Sequence, residues 1–251
     1  MEKYFELKNK YTNYNIKAKM CLPKRKNGIK NIFIICHGFF SFKESTSAKT
    51  IARKLNDNNI AAISFDFPAH GESPVDASQL TIENCIYDIK TIEDYIKDNF
   101  KDTKMSIFGS SFGGYIILNK IIKDGSNFEN IVLRAPAIDM KNIIINSLGK
   151  EEFEKFKKAG FIEAGFDRQV NIPYSFYLDL CNNDVLKQYN KKEKILIFHG
   201  VDDDTALIKD TYEFIKKDPQ NIRLIAMDGV NHKMDIAELE FIADEMIKYM
   251  K

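Results

Sequence analysis

No stretch of this chain is long and apolar enough to span a bilayer; a buried run such as Asn31-Ile32-Phe33-Ile34-Ile35-Cys36 falls far short of the roughly 20 residues required. The opening residues Met1 to Glu6 carry no apolar signal core. Neither sign of charge dominates, with 37 Lys and Arg against 36 Asp and Glu, and no long single-sign block offers nucleic acid a basic face. Cysteine is sparse: Cys21, Cys36, Cys85 and Cys181 include no C-x-x-C pair and no His-rich metal spacing. They are expected as isolated thiols in a reducing compartment, with Cys36 packed as a small apolar residue inside a strand. The G-x-G-x-x-G dinucleotide fingerprint is missing too. These absences predict a soluble cytoplasmic protein with no cofactor, no metal, no nucleic-acid partner and no membrane contact.

What is present is enough chain for one α/β domain with an insertion: 251 residues, 44% of them hydrophobic. The organising stretch is Ile107-Phe108-Gly109-Ser110-Ser111-Phe112-Gly113-Gly114, which contains G-x-S-x-G centred on Ser111. An apolar run (105 to 108) precedes it and a helix-compatible run (115 to 122) follows. That context is the signature of a nucleophile elbow, a tight strand-to-helix turn that lifts a serine hydroxyl clear of the sheet. Glycines are required where the turn brings backbones together, and the helix N-terminus favours negative charge developing at the serine. Taken alone, the pentapeptide equally fits a glycine-rich turn.

The flanking pattern is a repeated alternation. Two weakly alternating segments, 3 to 8 and 14 to 22, fit antiparallel strands, and Lys24 to Lys30 with Asn27-Gly28 fits a turn. Buried strands are expected at 31–36, 60–65, 105–108, 130–136, 194–198 and 222–227. Helices are expected at 44–59, 81–100, 115–122, about 205–217 and about 234–250. This β-α-β winding predicts a parallel sheet with helices on both faces, and ligands in such sheets bind beyond the strand carboxyl ends. At that edge fall His37-Gly38-Phe39-Phe40, whose amides fit half of an oxyanion hole or a plain strand-ending turn. The loop Asp66 to Ser73 falls there as well, with His70 read as a loop-locking residue. Residues 137–192 break the rhythm. They show no buried strand and are rich in aromatics (Phe153, Phe156, Phe161, Phe166, Tyr174, Phe176, Tyr177), which predicts a mostly helical insertion capping the site. Some of these aromatics would be ordinary core, and others would line an apolar acyl or aromatic pocket.

A serine, an acid-bearing loop and a histidine stand in the order Ser111, Asp203, His232, each after an expected parallel strand. Such a trio has a chemical logic. A serine hydroxyl needs a base to take its proton, an imidazole does this near neutral pH, and a carboxylate holds the ring in the useful tautomer.

Here the chain resembles the α/β-hydrolase superfamily over nearly its whole length. The resemblance rests on His37-Gly38-Phe39, Asp66-Phe67-Pro68-Ala69-His70-Gly71-Glu72-Ser73, Gly109-Ser110-Ser111-Phe112-Gly113, His199-Gly200-Val201-Asp202-Asp203 and Gly229-Val230-Asn231-His232. It implies an α/β-hydrolase fold: a mostly parallel eight-stranded sheet, a core of residues 1–136 and 193–251, and a cap at 137–192. By that resemblance Ser111 is the nucleophile, His232 the general base and Asp203 the acid, with Asp202, Asp204 and Asp139 left as alternatives. The backbone N–H groups of Phe39 and Phe112 form the oxyanion hole, and His37, Gly38, Phe40, Phe153 and Phe176 contact substrate. The segment after His37 reads Gly-Phe-Phe, unlike the glycine-rich H-G-G-G of hormone-sensitive-lipase-like members. In detail the chain looks most like cinnamoyl/feruloyl esterases and monoacylglycerol-lipase-like enzymes. The expected activity is that of a serine carboxylester hydrolase acting on a small-molecule ester with an apolar or aromatic acyl group. A thioesterase, amidase, peptidase or acyltransferase would use the same triad, and a non-catalytic binding protein would keep only the fold. An exposed aromatic cap would allow a homodimer.

Overall fold

The computed structural model describes residues 1–24, 29–165 and 168–250. The turn expected at Asn27-Gly28, and Phe166, lie outside the described residues. Eight strands form one sheet: β1 (Glu2–Lys8), β2 (Asn15–Cys21), β3 (Asn31–Cys36), β4 (Ala61–Phe65), β5 (Lys104–Ser110), β6 (Ile131–Arg134), β9 (Ile195–Gly200) and β10 (Ile222–Met227). Their spatial order is β1-β2-β4-β3-β5-β6-β9-β10. Pairing is antiparallel for β1 with β2 and β2 with β4, and parallel everywhere else. The eight-stranded, mostly parallel α/β-hydrolase sheet expected from the sequence is the one observed.

The parallel strands are apolar on both faces because both faces are covered. Ile32, Ile34, Cys36 and Ile107 pack on the side of α2 (Ile82–Asn99) and α3 (Phe112–Asp124). Phe33, Ile35, Phe108 and Phe198 pack on the side of α1 (Thr46–Asp57) and α8 (Ile236–Tyr249). The first helix begins at Thr46 rather than near Glu44. Ser45 takes the N-cap position, its hydroxyl accepting the Ala48 N–H at 3.2 Å. The chain leaves β3 towards β4 on one side and returns to β5 on the other. The crevice where ligands bind in such sheets therefore opens between the ends of β3 and β5.

Between β6 and β9 lie α4 (Met140–Ala159, broken at Gly149 with φ 71°), β7 (Phe161–Ala164), β8 (Val170–Pro173), α5 (Tyr174–Asn182) and α6 (Val185–Gln188). The antiparallel β7-β8 pair adds two short strands to the mostly helical insertion expected from the sequence. Each strand is four residues long and only Ile172 is fully buried, so neither presents the apolar run that marks a core strand. After β9 comes α7 (Ile208–Ile215), which packs Phe214 into the core.

Candidate active site

The G-x-S-x-G turn is built as a close approach of three backbones. A Cβ at Gly113 would stand 2.3 Å from the Cys36 carbonyl oxygen, and one at Gly109 would stand 2.7 Å from the Gly114 nitrogen. Only glycine lets α3 start this close to β3 and β5. Ser111 sits at the corner with φ 51° and ψ −111°, a conformation L residues rarely adopt. Its main chain is held on both sides: its N–H donates to Arg134 O at 2.9 Å, and its carbonyl accepts from Tyr115 and Ala137, each at 3.1 Å. The strain is thus offset by hydrogen bonds, and the hydroxyl is left facing the crevice.

Three side chains meet there. His232, on the loop between β10 and α8, places Nε2 3.1 Å from Ser111 Oγ. Its Nδ1 lies 2.7 Å from Asp203 Oδ2. With Nδ1 donating to the carboxylate, Nε2 is the acceptor that faces the serine hydroxyl. Asp203 follows β9 and is fully buried. Its other oxygen accepts the N–H groups of Thr205 (2.9 Å) and Ala206 (2.8 Å). His199 Nε2–H, which donates to Ala206 O at 2.7 Å, also stands 3.3 Å from Asp203 Oδ2. Burial alone would push the Asp203 carboxyl up. The hydrogen bonds from His199, His232 and the Thr205 amide outweigh it and hold the group well below the usual carboxylate range.

The alternative acids stand elsewhere. Asp139 precedes α4 and accepts from Asn142 Nδ2 at 2.6 Å, while Asp202 and Asp204 are exposed. Of the four carboxylates, Asp203 is the one the fold brings to His232.

Facing Ser111 across the crevice is the loop after β3. Ser41 N–H donates to Gly38 O at 3.1 Å, closing a turn with Phe39 second and Phe40 third at φ 55°. Among the described residues no acceptor pairs with the Phe39 N–H or with the Phe112 N–H at the first turn of α3. The loop is braced from below. His37 Nδ1–H donates to Gly38 O at 2.7 Å, and its Nε2 accepts the Phe67 N–H at 3.1 Å. Buried Asp66 accepts both the backbone N–H (2.7 Å) and Nζ (2.8 Å) of Lys43 and the Glu72 N–H (3.0 Å). Gly71, at φ 48°, lies directly over that carboxylate, where a Cβ would come within 2.5 Å. The motif Asp66 to Ser73 is therefore a clamp on the Phe39 loop. His70 belongs to it, with Nδ1–H donating to Pro68 O at 2.8 Å and the ring packed on Phe39 and Phe112. Burial lowers His37 to about 4 and His70 to about 3, so both are neutral imidazoles.

A cavity of about 430 Å³ opens at the serine, bordered by Gly38, Phe39, Phe40, Ser111, Arg134 and His232. His37 also reaches its wall, with both ring nitrogens committed to the backbone. Phe176 is 1% exposed and stacks on Phe39 with ring centroids 5.7 Å apart, supporting the loop from behind rather than touching the cavity. Phe153 packs on Phe156, Tyr174 and Tyr177, in an aromatic cluster internal to residues 137–192. Both were expected at the substrate, and the cavity wall includes neither. A second cleft of about 590 Å³ runs along β2 and α1 and shares no residue with the Ser111–His232–Asp203 cluster.

Three further residues have roles that the sequence did not assign. Arg168 donates to the carbonyls of Gly71 (3.2 Å), Ser73 (2.8 Å) and Val75 (3.1 Å), tying the β7-β8 segment to the His70 loop. His199 supports Asp203. Arg134 ends β6 beneath the serine, and its signal is a lone cation closing the apolar run Ile131-Val132-Leu133. Among the described residues no group of acids, histidines and cysteines is arranged to hold a metal ion.

A hydroxyl, an imidazole and a buried carboxylate in line, beside the Phe39 and Phe112 amides at the carboxyl edge of a parallel sheet, define the class of serine hydrolases on an α/β-hydrolase fold. The chain belongs to the family described as Serine aminopeptidase, S33, which it matches over residues 27–166. Among solved structures it is similar to Est1E from Butyrivibrio proteoclasticus, determined with ferulic acid bound (21% identity, 98% of this chain and 97% of that one, TM-score 0.83). It is also similar to mouse alpha/beta hydrolase domain-containing protein 10 (18%, 99% and 100%, 0.78). A third is the Pyrococcus furiosus esterase Pf2001 (18%, 99% and 92%, 0.73). At these identities the likeness is one of fold. No curated protein matches the sequence. No helix among the described residues is long and apolar enough to cross a membrane.

Proposed function

We propose that the protein is a serine carboxylester hydrolase that works through an acyl-enzyme on Ser111. The observation that carries this reading is the unbroken line from Ser111 Oγ to His232 Nε2 (3.1 Å) and from His232 Nδ1 to Asp203 Oδ2 (2.7 Å). His232 takes the hydroxyl proton as Oγ attacks the ester carbon. Asp203 stabilises the imidazolium. The tetrahedral oxyanion is met by the N–H groups of Phe39 and Phe112, fixed in place before reaction. Collapse expels the alcohol, protonated by His232. Water, deprotonated by the same ring, then attacks the acyl-enzyme and releases the acid.

The substrate is an ester with a small-to-medium apolar or aromatic acyl group. Phe39 and Phe40 border the cavity, and Phe176 of the 137–192 insertion backs Phe39. The ferulic acid bound to Est1E is a precedent for an aryl acyl group on this fold. The family description also raises aminopeptidase chemistry. A free N-terminal ammonium needs a carboxylate, whereas the described residues bordering the cavity include Arg134 and Lys233 and no Asp or Glu. The unpaired thiols Cys21, Cys36, Cys85 and Cys181 suit work in the reducing cytoplasm. Measuring kcat/KM for an ester, a thioester and an amide of one aryl-propenoyl group tests the assignment. The ester is expected to lead, and an amide or free-amine peptide turned over faster would overturn it.

A further inference from the structure

We propose that Arg134 is a positioning residue that registers the general base against the nucleophile, a role that rests on the serine-hydrolase reading above. Arg134 is 7% exposed and is the last residue of β6, paired in register with Ser110 of the elbow strand. Its carbonyl accepts the N–H of Ser111 at 2.9 Å. Its side chain turns the other way. Nη1 donates to Ser110 Oγ at 2.7 Å, Nη2 donates to the main-chain carbonyl of His232, and Nε approaches Met234 Sδ at 3.3 Å. One residue thus holds the nucleophile's backbone with its own backbone and the base's backbone with its guanidinium.

The loop that carries His232 makes this bond consequential. At one end Val230 is fixed by the Asp202 N–H at 3.0 Å, and at the other Asp235 and Glu238 form a capping box that starts α8. Between those anchors, Asn231 Oδ1 accepts the Lys233 N–H at 2.8 Å, a bond internal to the loop. Among the described residues the Arg134 bond is the one that fastens the main chain of His232 to the sheet. A planar guanidinium holds Ser110, His232 and Met234 from three separate nitrogens in a fixed fork, a spread that the single nitrogen of an ammonium does not reproduce.

A buried cation is a costly way to hold a loop unless its place is needed. Arg134 has no carboxylate within ion-pair distance among the described residues, and its acceptors are neutral. Burial lowers its pKa to about 10, with Asp203 and Glu238 opposing the shift, so it stays charged at neutral pH. The geometric end that the guanidinium serves is to fix the loop that carries His232.

The test uses Arg134→Met, Arg134→Ala and Arg134→Lys in the full chain, with wild type and Ser111→Ala assayed first on one p-nitrophenyl ester. In a folded Arg134→Met protein kcat is expected to fall about 10²-fold with KM nearly unchanged, as misplacement of a reacting group by about 1 Å does. Millimolar guanidinium is expected to restore part of the kcat of Arg134→Ala by filling the vacated site beside the cavity. Arg134→Lys keeps the charge without the fork and is expected to fall between wild type and Arg134→Met. It decides the matter if the other two fail to fold. Wild-type kcat in folded Arg134→Met or Arg134→Lys overturns the proposal. So does a loss shared equally by kcat and thermal stability with no response to guanidinium. If wild type itself turns over no ester, the serine-hydrolase reading has failed, and this inference falls with it.

Discussion

Three residues carry the chemistry proposed here, and each depends on its neighbours for a definite reason. Ser111 Oγ is a weak nucleophile until His232 Nε2, 3.1 Å away, takes its proton. Replacing Ser111 by Ala is expected to lower kcat by about 10⁴-fold or more while leaving the melting temperature close to wild type, read by steady-state kinetics and circular dichroism. Asp203→Asn removes the charge and offers an N–H where His232 Nδ1–H needs an acceptor, so the ring turns to the wrong tautomer. A fall in kcat of about 10⁴-fold is expected. A drop below tenfold in either variant would contradict these roles. Ser111, Asp203 and His232 were legible in the sequence because each is a chemically distinctive residue placed just beyond a recognisable strand. The choice of Asp203 over Asp202, Asp204 and Asp139 was favoured by the sequence but left open. It depends on which carboxylate the turn after β9 directs inward, where Thr205 and Ala206 supply N–H groups. Arg134 escaped notice because its partners, Ser110 Oγ and the His232 carbonyl, are 24 and 98 positions away.

At the level of elements, the site depends on how closely α3 and the loop after β3 approach each other. A methyl group at Gly113 would collide with the Cys36 carbonyl at 2.3 Å and force β3 and α3 apart. Gly113→Ala is expected to cost about 1–3 kcal/mol in urea denaturation and to reduce activity further than that loss explains, because the Phe39 loop hangs from β3. Unchanged stability would mean that the strand end yields more readily than the packing indicates. Phe176 on α5 stacks on Phe39 and meets Phe112 edge-on, so Phe176→Leu is expected to lower kcat more than it raises KM. A pure KM effect would instead make Phe176 a substrate contact, as the sequence first suggested. The parallel strands could be placed from sequence because each is a bare apolar run. Residues 137–192 could not, since β7 and β8 are four-residue pieces held by Arg168 and by their own register, and neither cause shows as periodicity.

For the molecule as a whole, acid sensitivity follows from two of the buried histidines, His37 and His70. His37 and His70 are neutral in the folded state, at about 4 and about 3, against about 6.5 when unfolded. Below pH 6.5 the unfolded chain binds protons that the native one refuses, so stability is complete above that value and declines as pH falls towards 4 and then 3. The expected loss between pH 7 and pH 5 is on the order of 2 kcal/mol for each histidine. Urea denaturation at the two pH values measures it, and a flat profile would contradict the assignment. The whole sheet, with its order of winding, was readable in outline because alternating strands and helices leave few arrangements that bury both faces.

The most direct test of the central claim is mass spectrometry of the protein after incubation with a fluorophosphonate. A single adduct on the peptide carrying Ser111 is predicted, absent in Ser111→Ala and formed far more slowly in His232→Ala. Folded wild-type protein that remains unlabelled, or that is labelled at another residue, would contradict the acyl-enzyme account.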